Sequence, residues 1–224
     1  MVATATQMND EQAQIDYLHD VFAKQKAAYQ AAPYPTADQR KADLSRLSAV
    51  LRKYKDELCE SMNQDFSCRS NAETMIAELM VTLEGIAYNR KKLKKWMKPS
   101  RRHVGVLFAP ASNKVHYQPK GVVGIMVPWN YPIQLALAPL AAALAAGNRA
   151  VIKLSEFTPN TNVVLEKMLA EAFPQEQVAA MAGETSVSAE FSNMHWDHLI
   201  FTGSTAVARH VMAACGKNLV PVTL

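Results

Sequence analysis

From Gly121 onward, apolar and polar positions fall into alternating blocks of strand and helix length. Val122–Val127 is an apolar, β-branched-rich run that suits a strand covered on both faces. Ile133–Ala146, rich in alanine and leucine, is long enough for a helix of about 14 residues. Gly147, with Asn148 after it, offers that helix a left-handed cap. The alternation continues with a strand at Ala150–Ile152, a helix at Pro159–Phe173 and a strand at Val178–Ala182. A short helix at Val187–Met194, a strand at His198–Phe201, a helix at Thr205–Cys215 and a fifth strand opening at Val220–Leu224 follow. This succession predicts right-handed crossovers and an open parallel sheet, an α/β, Rossmann-like fold with helices on both faces. Such sheets bind ligands at the carboxyl ends of their strands. The places to search are therefore Pro128–Pro132, Lys153–Glu156, Gly183–Thr185 and Thr202–Thr205.

Ahead of Gly121 the period is helical. Ile15, Leu18, Phe22 and Tyr29 mark a helix over Glu11–Ala31, closed by Pro33 and Pro35, while Met1–Asp10 reads as disordered. Leu44, Leu47, Leu51, Tyr54 and Leu58 share one side of a helix over Thr36–Asp65. Ile76, Leu79, Leu83, Ile86, Leu93 and Trp96 do the same over Glu73–Met97, and this stripe, Trp96 included, reads as core packing. Val104–Phe108 and Lys114–Gln118 are short β-prone runs around a turn-rich Ala109–Asn113. The chain accordingly divides into an N-terminal helical segment (1–103) packed on the rest, a hairpin (104–120) and an incomplete Rossmann-like domain (121–224).

Composition fits a soluble globular protein, 49% hydrophobic and 20% charged. The net charge of +4 raises a nucleic-acid partner, but Arg90–Arg102 holds eight of the 24 basic residues and no acidic one. Without that run, 16 basic residues face 20 acidic ones. Lysines and arginines in the last turns of a helix complement its negative end, and no groove-reading element accompanies them, so no nucleic-acid partner is expected. The longest apolar run, Leu135–Ala146, contains Pro139 and is too short for a membrane span. Cys59, Cys68 and Cys215 lack metal-ligand spacing. With a polar N-terminus that shows no secretory signal, they fit reduced thiols in the cytoplasm.

Each post-strand segment carries polar chemistry that admits two readings. No G-x-G-x-x-G follows the first strand. Gly203-Ser204 is either a phosphate cradle at a helix N-terminus or a glycine turn with a capping serine. Asn130, between Trp129 and Tyr131, is either an amide donor to a developing negative charge or a turn asparagine between prolines. Lys153 and Glu156 are either nucleotide contacts or an exposed charged pair.

Five motifs in order resolve these pairs by resemblance: PWNYP (Pro128–Pro132), AAGN (Ala145–Asn148), KLSE (Lys153–Glu156), FTGST (Phe201–Thr205) and PVTL (Pro221–Leu224). From about Tyr117 to Leu224 the sequence resembles the aldehyde dehydrogenase superfamily, within it the branch that holds the class 3 and coniferyl aldehyde dehydrogenases. The resemblance implies NAD(P)-dependent oxidation of an aldehyde, an aromatic, coniferyl aldehyde-like one, to a carboxylic acid. It assigns Asn130 to oxyanion stabilisation. Pro128, Trp129, Lys153, Glu156, Gly203, Ser204 and Val207 fall to cofactor binding, with Lys153 and Glu156 at the adenosine ribose. Glu156 leans the choice toward NAD without excluding NADP. Gly183 lies near the cofactor in many members, and the family often has a glycine where this chain has Ala208. Val104–Gln118 resembles the hairpin that bridges subunits in a homo-oligomer, a dimer or tetramer. In the family a segment like PVTL directly precedes the general-base glutamate. The base and the nucleophilic cysteine are thus expected beyond Leu224, and the 224 residues alone are expected to be inactive, the alternative being a non-catalytic nucleotide-binding or oligomerisation fragment.

Overall fold

Five parallel strands form the centre of the computed structural model, which describes residues 5–224, with side chains from Glu11 onward. In chain order they are β3 (Val122–Met126), β4 (Arg149–Lys153), β5 (Val178–Met181), β6 (His198–Phe201) and β7 (Val222–Thr223), arranged β5-β4-β3-β6-β7. The crossovers are α6 (Pro132–Ala146), α7 (Pro159–Ala172), α8 (Thr185–Asn193) and α9 (Thr205–Lys217). The predicted α/β, Rossmann-like sheet is thus present, with every predicted element of this half within a few residues of its expected place.

The two-residue period of the strands sorts their side chains between two cores. Val123, Ile125, Ala150, Ile152 and Val178 pack with α6, α7 and the helices α2 (Ala37–Lys53), α3 (Lys55–Phe66) and α5 (Val81–Trp96). Val122, Met126, Val151 and Ala179 pack on the other face with α8, α9 and α1 (Ala5–Ala31), through Leu18, Val21, Phe191, Trp196 and Val211. Both layers are needed because a parallel sheet is apolar on both sides. Arg40 joins the layers to the helix ends: its buried guanidinium donates to the carbonyls of Ala145 and Ala146, the last of α6, and to Pro35. Gly147 takes the left-handed conformation predicted for it, φ 86°.

The N-terminal half departs from its predicted pattern in four places. Helix α1 begins at Ala5, so part of Met1–Asp10 is helical, and Met1–Thr4 lie outside the described residues. The predicted helix over Thr36–Asp65 is two helices, broken at Tyr54, whose φ and ψ of −92° and 6° end one and start the next; the five stripe residues are buried all the same. The third helix starts as α4 (Asn71–Glu73), continues as a π-helical stretch (Thr74–Met80) and then becomes α5. The wider π turns change which side faces inward. Thr74, Glu78, Thr82 and Ile86 are buried, whereas Ile76 is 59% and Trp96 44% exposed, so Trp96 is not a core residue and packs instead, tilted, against the exposed Tyr88.

The hairpin is also displaced. Its strands are β1 (Ser100–Arg102) and β2 (Asn113–Val115), antiparallel with Ser100 opposite Val115, and Val106–Phe108 forms a 3-10 turn at the tip. The apolar run reads as a strand from its composition, yet no layer covers it, and Leu107 is 93% exposed. Among the described residues no helix is long and apolar enough to cross a membrane. No group of three or more His, Cys, Asp or Glu among them is placed to hold a metal ion.

Candidate functional site

Strand order reverses at β3. The chain leaves β3 through α6 toward β4 and β5, then returns to pair β6 against the opposite edge of β3. In an open α/β sheet the crevice at such a reversal, outside the carboxyl ends of the strands, is where ligands bind. The register fixes what meets there. Met126 lies opposite Lys153 on one side and Phe201 on the other. Val127 N–H donates to the Lys153 carbonyl at 3.0 Å, Thr202 N–H to the Met126 carbonyl at 3.2 Å, and Leu154 N–H to the Met181 carbonyl at 2.9 Å. The segments after β3, β4, β5 and β6 therefore leave from one edge, those after β4 and β6 about 10 Å apart across β3. Helices α6, α7, α8 and α9 all begin at that edge and turn their positive ends toward it.

Within this frame the predicted residues take the following places. Trp129 and Asn130 are exposed at the head of α6, and Pro128 is half-buried beside them. Lys153 closes β4, only 3% exposed, and its ammonium donates to Glu156 Oε2 at 3.1 Å. Its other two N–H donors have no partner among the described residues, while Glu156 is open to solvent over part of its surface. Gly203 and Ser204 are exposed. Ser204 caps α9 by accepting the Val207 N–H at 3.3 Å, and the amides of Thr205 and Ala206 have no partner among the described residues. A side chain at position 203 would run into the Phe201 ring, which accounts for glycine there. Gly183 is buried, and a β-carbon on it would press on Val187. The structure brings all the predicted site residues to the same edge. No hydrogen bond joins Asn130 to Lys153, Glu156 or Ser204; the sheet edge is what they share.

A cleft of about 280 Å³ runs behind Glu156, lined by Pro159, Asn162, Glu166 and Gly183 with Gln14 across from them. Burial pushes the Glu166 carboxyl above its ordinary range, against the pull of the Ala182 N–H that it accepts at 2.7 Å.

Two charged residues that sequence reasoning missed stand behind Asn130. Glu78 is fully buried, and its Oε2 accepts the N–H groups of Ile133 (2.8 Å) and Gln134 (3.0 Å), the first turn of α6. Arg69 reaches Glu78 Oε1 at 3.3 Å and the Asn130 carbonyl at 2.8 Å. Burial pushes the Glu78 carboxyl up, and the two amides and Arg69 pull it back. The signal for Glu78 was an acid inside an apolar run, MIAELM, that the 3.6-residue period assigned to the outer face. Arg69 follows a left-handed Ser67 (φ 61°) in a loop and carried no such signal.

Known proteins share this fold. A family model described as the aldehyde dehydrogenase family matches residues 3–224. A probable coniferyl aldehyde dehydrogenase of Pseudomonas aeruginosa is 51% identical over 224 residues, all of this chain and 47% of its own length. Among solved structures, the substrate-bound state of Staphylococcus aureus AldH superposes with a TM-score of 0.89 at 32% identity, over 92% of this chain and 45% of its own. PnpE of Pseudomonas sp. WBC-3, solved in complex with nicotinamide adenine dinucleotide, gives 0.80 at 28% identity over 91% of this chain and 42% of its own. The chain spans about half the length of the curated relatives it matches.

Proposed function

The chain belongs to the aldehyde dehydrogenase family, and from that membership we propose that it supplies the dinucleotide-binding part of an NAD(P)-dependent oxidation of an aldehyde to a carboxylic acid. The substrate we infer is aromatic and coniferyl aldehyde-like, from the similarity to a probable coniferyl aldehyde dehydrogenase. The observation that carries the reading is the convergence of the segments after β3, β4 and β6 on the edge where strand order reverses.

The residues present fit a dinucleotide. A buried ammonium with two donors to spare, beside a carboxylate partly open to solvent, is a poor arrangement for packing and a good one for a ribose. In this reading Glu156 accepts from the ribose hydroxyls and Lys153 donates to them. The free amides at the start of α9, with Gly203 and Ser204, hold the pyrophosphate. Pro128, Trp129 and Val207 cover the apolar surface of the cofactor. NAD(P) bound there supplies the hydride acceptor. NAD is favoured because the Glu156 carboxylate would face a 2′-phosphate, a repulsion that Lys153 only partly offsets.

Asn130 donates its side-chain amide to the oxygen of the aldehyde as negative charge develops on it. Losing one such donor typically costs about 2.7–4 kcal/mol of transition-state stabilisation. The nucleophile is assigned to residues other than these. Cys59 and Cys215 are buried, and burial pushes both thiols up, away from the thiolate that attack requires. Cys68 is exposed but lies in the loop after α3 with no base in hydrogen-bond contact among the described residues. The 224 residues alone are accordingly proposed to bind nucleotide without oxidising aldehyde. A homo-oligomer, dimer or tetramer, bridged through the β1–β2 hairpin, is proposed from the exposed Val106, Leu107 and Phe108 at its tip. The free cysteines accord with a cytoplasmic location.

Calorimetric titration of the chain with NAD+ and with NADP+ tests the reading. Saturable binding, tighter for NAD+, is the expected result. A folded chain that binds neither would overturn it.

A further inference from the structure

We propose that Arg69 and Glu78 are positioning residues that hold the Pro128–Pro132 segment, and with it the Asn130 amide, in one orientation across the carboxyl end of β3. The inference rests on the reading of Asn130 as the oxyanion donor for its functional meaning, and on geometry alone for the positioning itself.

The π-helical stretch is the starting point. Its turns set Thr74, Glu78 and Thr82 on the buried side at a spacing of four, so an acid points inward from an otherwise apolar run. A buried carboxylate is costly unless every lone pair is engaged, and here both oxygens are. One takes the Ile133 and Gln134 amides, which lie in the first turn of α6 and have no acceptor within the helix. The carboxylate also sits at the positive end of that helix. The start of α6 is thereby fixed, and the start of α6 is the end of the Asn130 segment.

Arg69 holds the middle of the segment. A single guanidinium nitrogen, Nη1, spans Glu78 Oε1 and the Asn130 carbonyl. Its Cζ lies over the Phe66 ring, 4.1 Å from the centroid, and over the Tyr131 ring at 5.0 Å, and the Phe66 ring in turn lies 6.1 Å from that of Trp129. Trp129, Asn130 and Tyr131 are therefore tied, directly or through Phe66, to one cation, whose own side chain is largely buried. With the carbonyl of Asn130 held and the chain anchored again at Ile133, the backbone freedom that could move the amide is narrowed. An ordinary helix cap would need Glu78 alone. The added bridge to the residue that carries the amide makes the pair a positioning device.

The test is nuclear magnetic resonance on the full 224-residue chain, with Arg69→Ala and Glu78→Gln. Arg69→Ala is expected to shift or broaden the Asn130 side-chain amide signals while those of Lys153 and Ser204 stay in place. Guanidinium ion at millimolar concentration, which can enter the vacated site, is expected to restore them where sodium ion does not. Glu78→Gln is expected to speed hydrogen exchange of the Ile133 and Gln134 amides by about tenfold or more, as loss of a charge-assisted bond requires. Should Arg69→Ala unfold the chain, Arg69→Lys carries the test. It keeps the charge but not the planar guanidinium fork, and the Asn130 signals are expected to move under it as well. Asn130 signals that superimpose on those of the unsubstituted chain in both Arg69 variants would overturn the proposal, as would signals that sodium ion restores equally well. NAD+ titration of the unsubstituted chain is read alongside. A failure there removes the cofactor reading and leaves the positioning result standing on its own.

Discussion

Asp65 holds Thr161 twice, accepting its backbone N–H at 2.8 Å and its hydroxyl at 2.6 Å on the same oxygen. The other oxygen takes the backbone and side-chain N–H of Asn160. The end of α3 thus caps the start of α7, as Glu78 does for α6, so carboxylates from the helical layer anchor two of the crossover helices at the carboxyl edge of the sheet. Asp65→Ala is expected to lower unfolding free energy by about 1–2 kcal/mol in a denaturant titration, the range of a lost N-cap. A change within error would mean that water replaces the carboxylate without loss.

If the proposed preference for NAD+ over NADP+ rests on Glu156, Glu156→Gln should narrow it by about tenfold or more, since the like-charge contact with a 2′-phosphate disappears. Calorimetric affinities for the two nucleotides provide the ratio. An unchanged ratio would place Glu156 away from the ribose.

Stability should depend on pH through the buried carboxyls. Glu78, Glu166 and Asp43 are all pushed above their ordinary values, burial being the largest cause for each. For such a group the folded state binds the proton more tightly than the unfolded state. Its contribution is fully present below the unfolded value, 4.5 for a glutamate, and is lost as pH rises through the raised folded value. Glu166→Gln removes one of these terms while keeping an acceptor for the Ala182 N–H. The fall in melting temperature from acid toward neutral pH is expected to be shallower in that variant, and an identical slope would deny the burial effect.

Gly121 has a φ of 140°, and a β-carbon there would strike the Asp197 carboxylate. That carboxylate accepts the Val122 N–H at 2.7 Å and pairs with Lys26 at 2.8 Å, so it has little room to yield. Gly121→Ala should cost about 2–3 kcal/mol from backbone strain and displacement together. A chain as stable as the original would show that the Asp197 contact is dispensable.

Cysteine labelling checks the two cores. Iodoacetamide at neutral pH should add a single adduct, at Cys68, because Cys59 and Cys215 are buried and their thiols are pushed up. Intact mass should then rise by all three adducts after denaturation. Labelling of Cys215 in the folded chain would show that α9 opens.

The sheet was legible because its signals are local. Residue types of strand and helix length alternate, glycine and proline mark the turns, and the post-strand motifs lie at the carboxyl ends of the strands. The helical layer was less so. Its stripe over Leu44–Leu58 was correct, since periodicity survives a break such as the one at Tyr54. The hairpin slipped because Val106–Phe108 is β-prone by composition, whereas pairing needs partners, and the partners are Ser100–Arg102 and Asn113–Val115, polar but for Val115. Of the candidate site, the residues on the post-strand segments were readable one by one. Arg69, Glu78 and Asp65 were not, because their partners lie 61, 55 and 96 residues away in the chain.

The π-helical stretch has a consequence for how this chain tolerates change in length. Inserting one residue between Thr74 and Met80, where the wider turns already absorb an extra one, would swing the upstream arm by about 100° relative to α5. The carboxylate of Glu78 and the loop that carries Arg69 could not both keep their places. An edit of that size in a surface loop is usually absorbed. Here it would dismantle the support behind Asn130 without altering a single atom at the sheet edge.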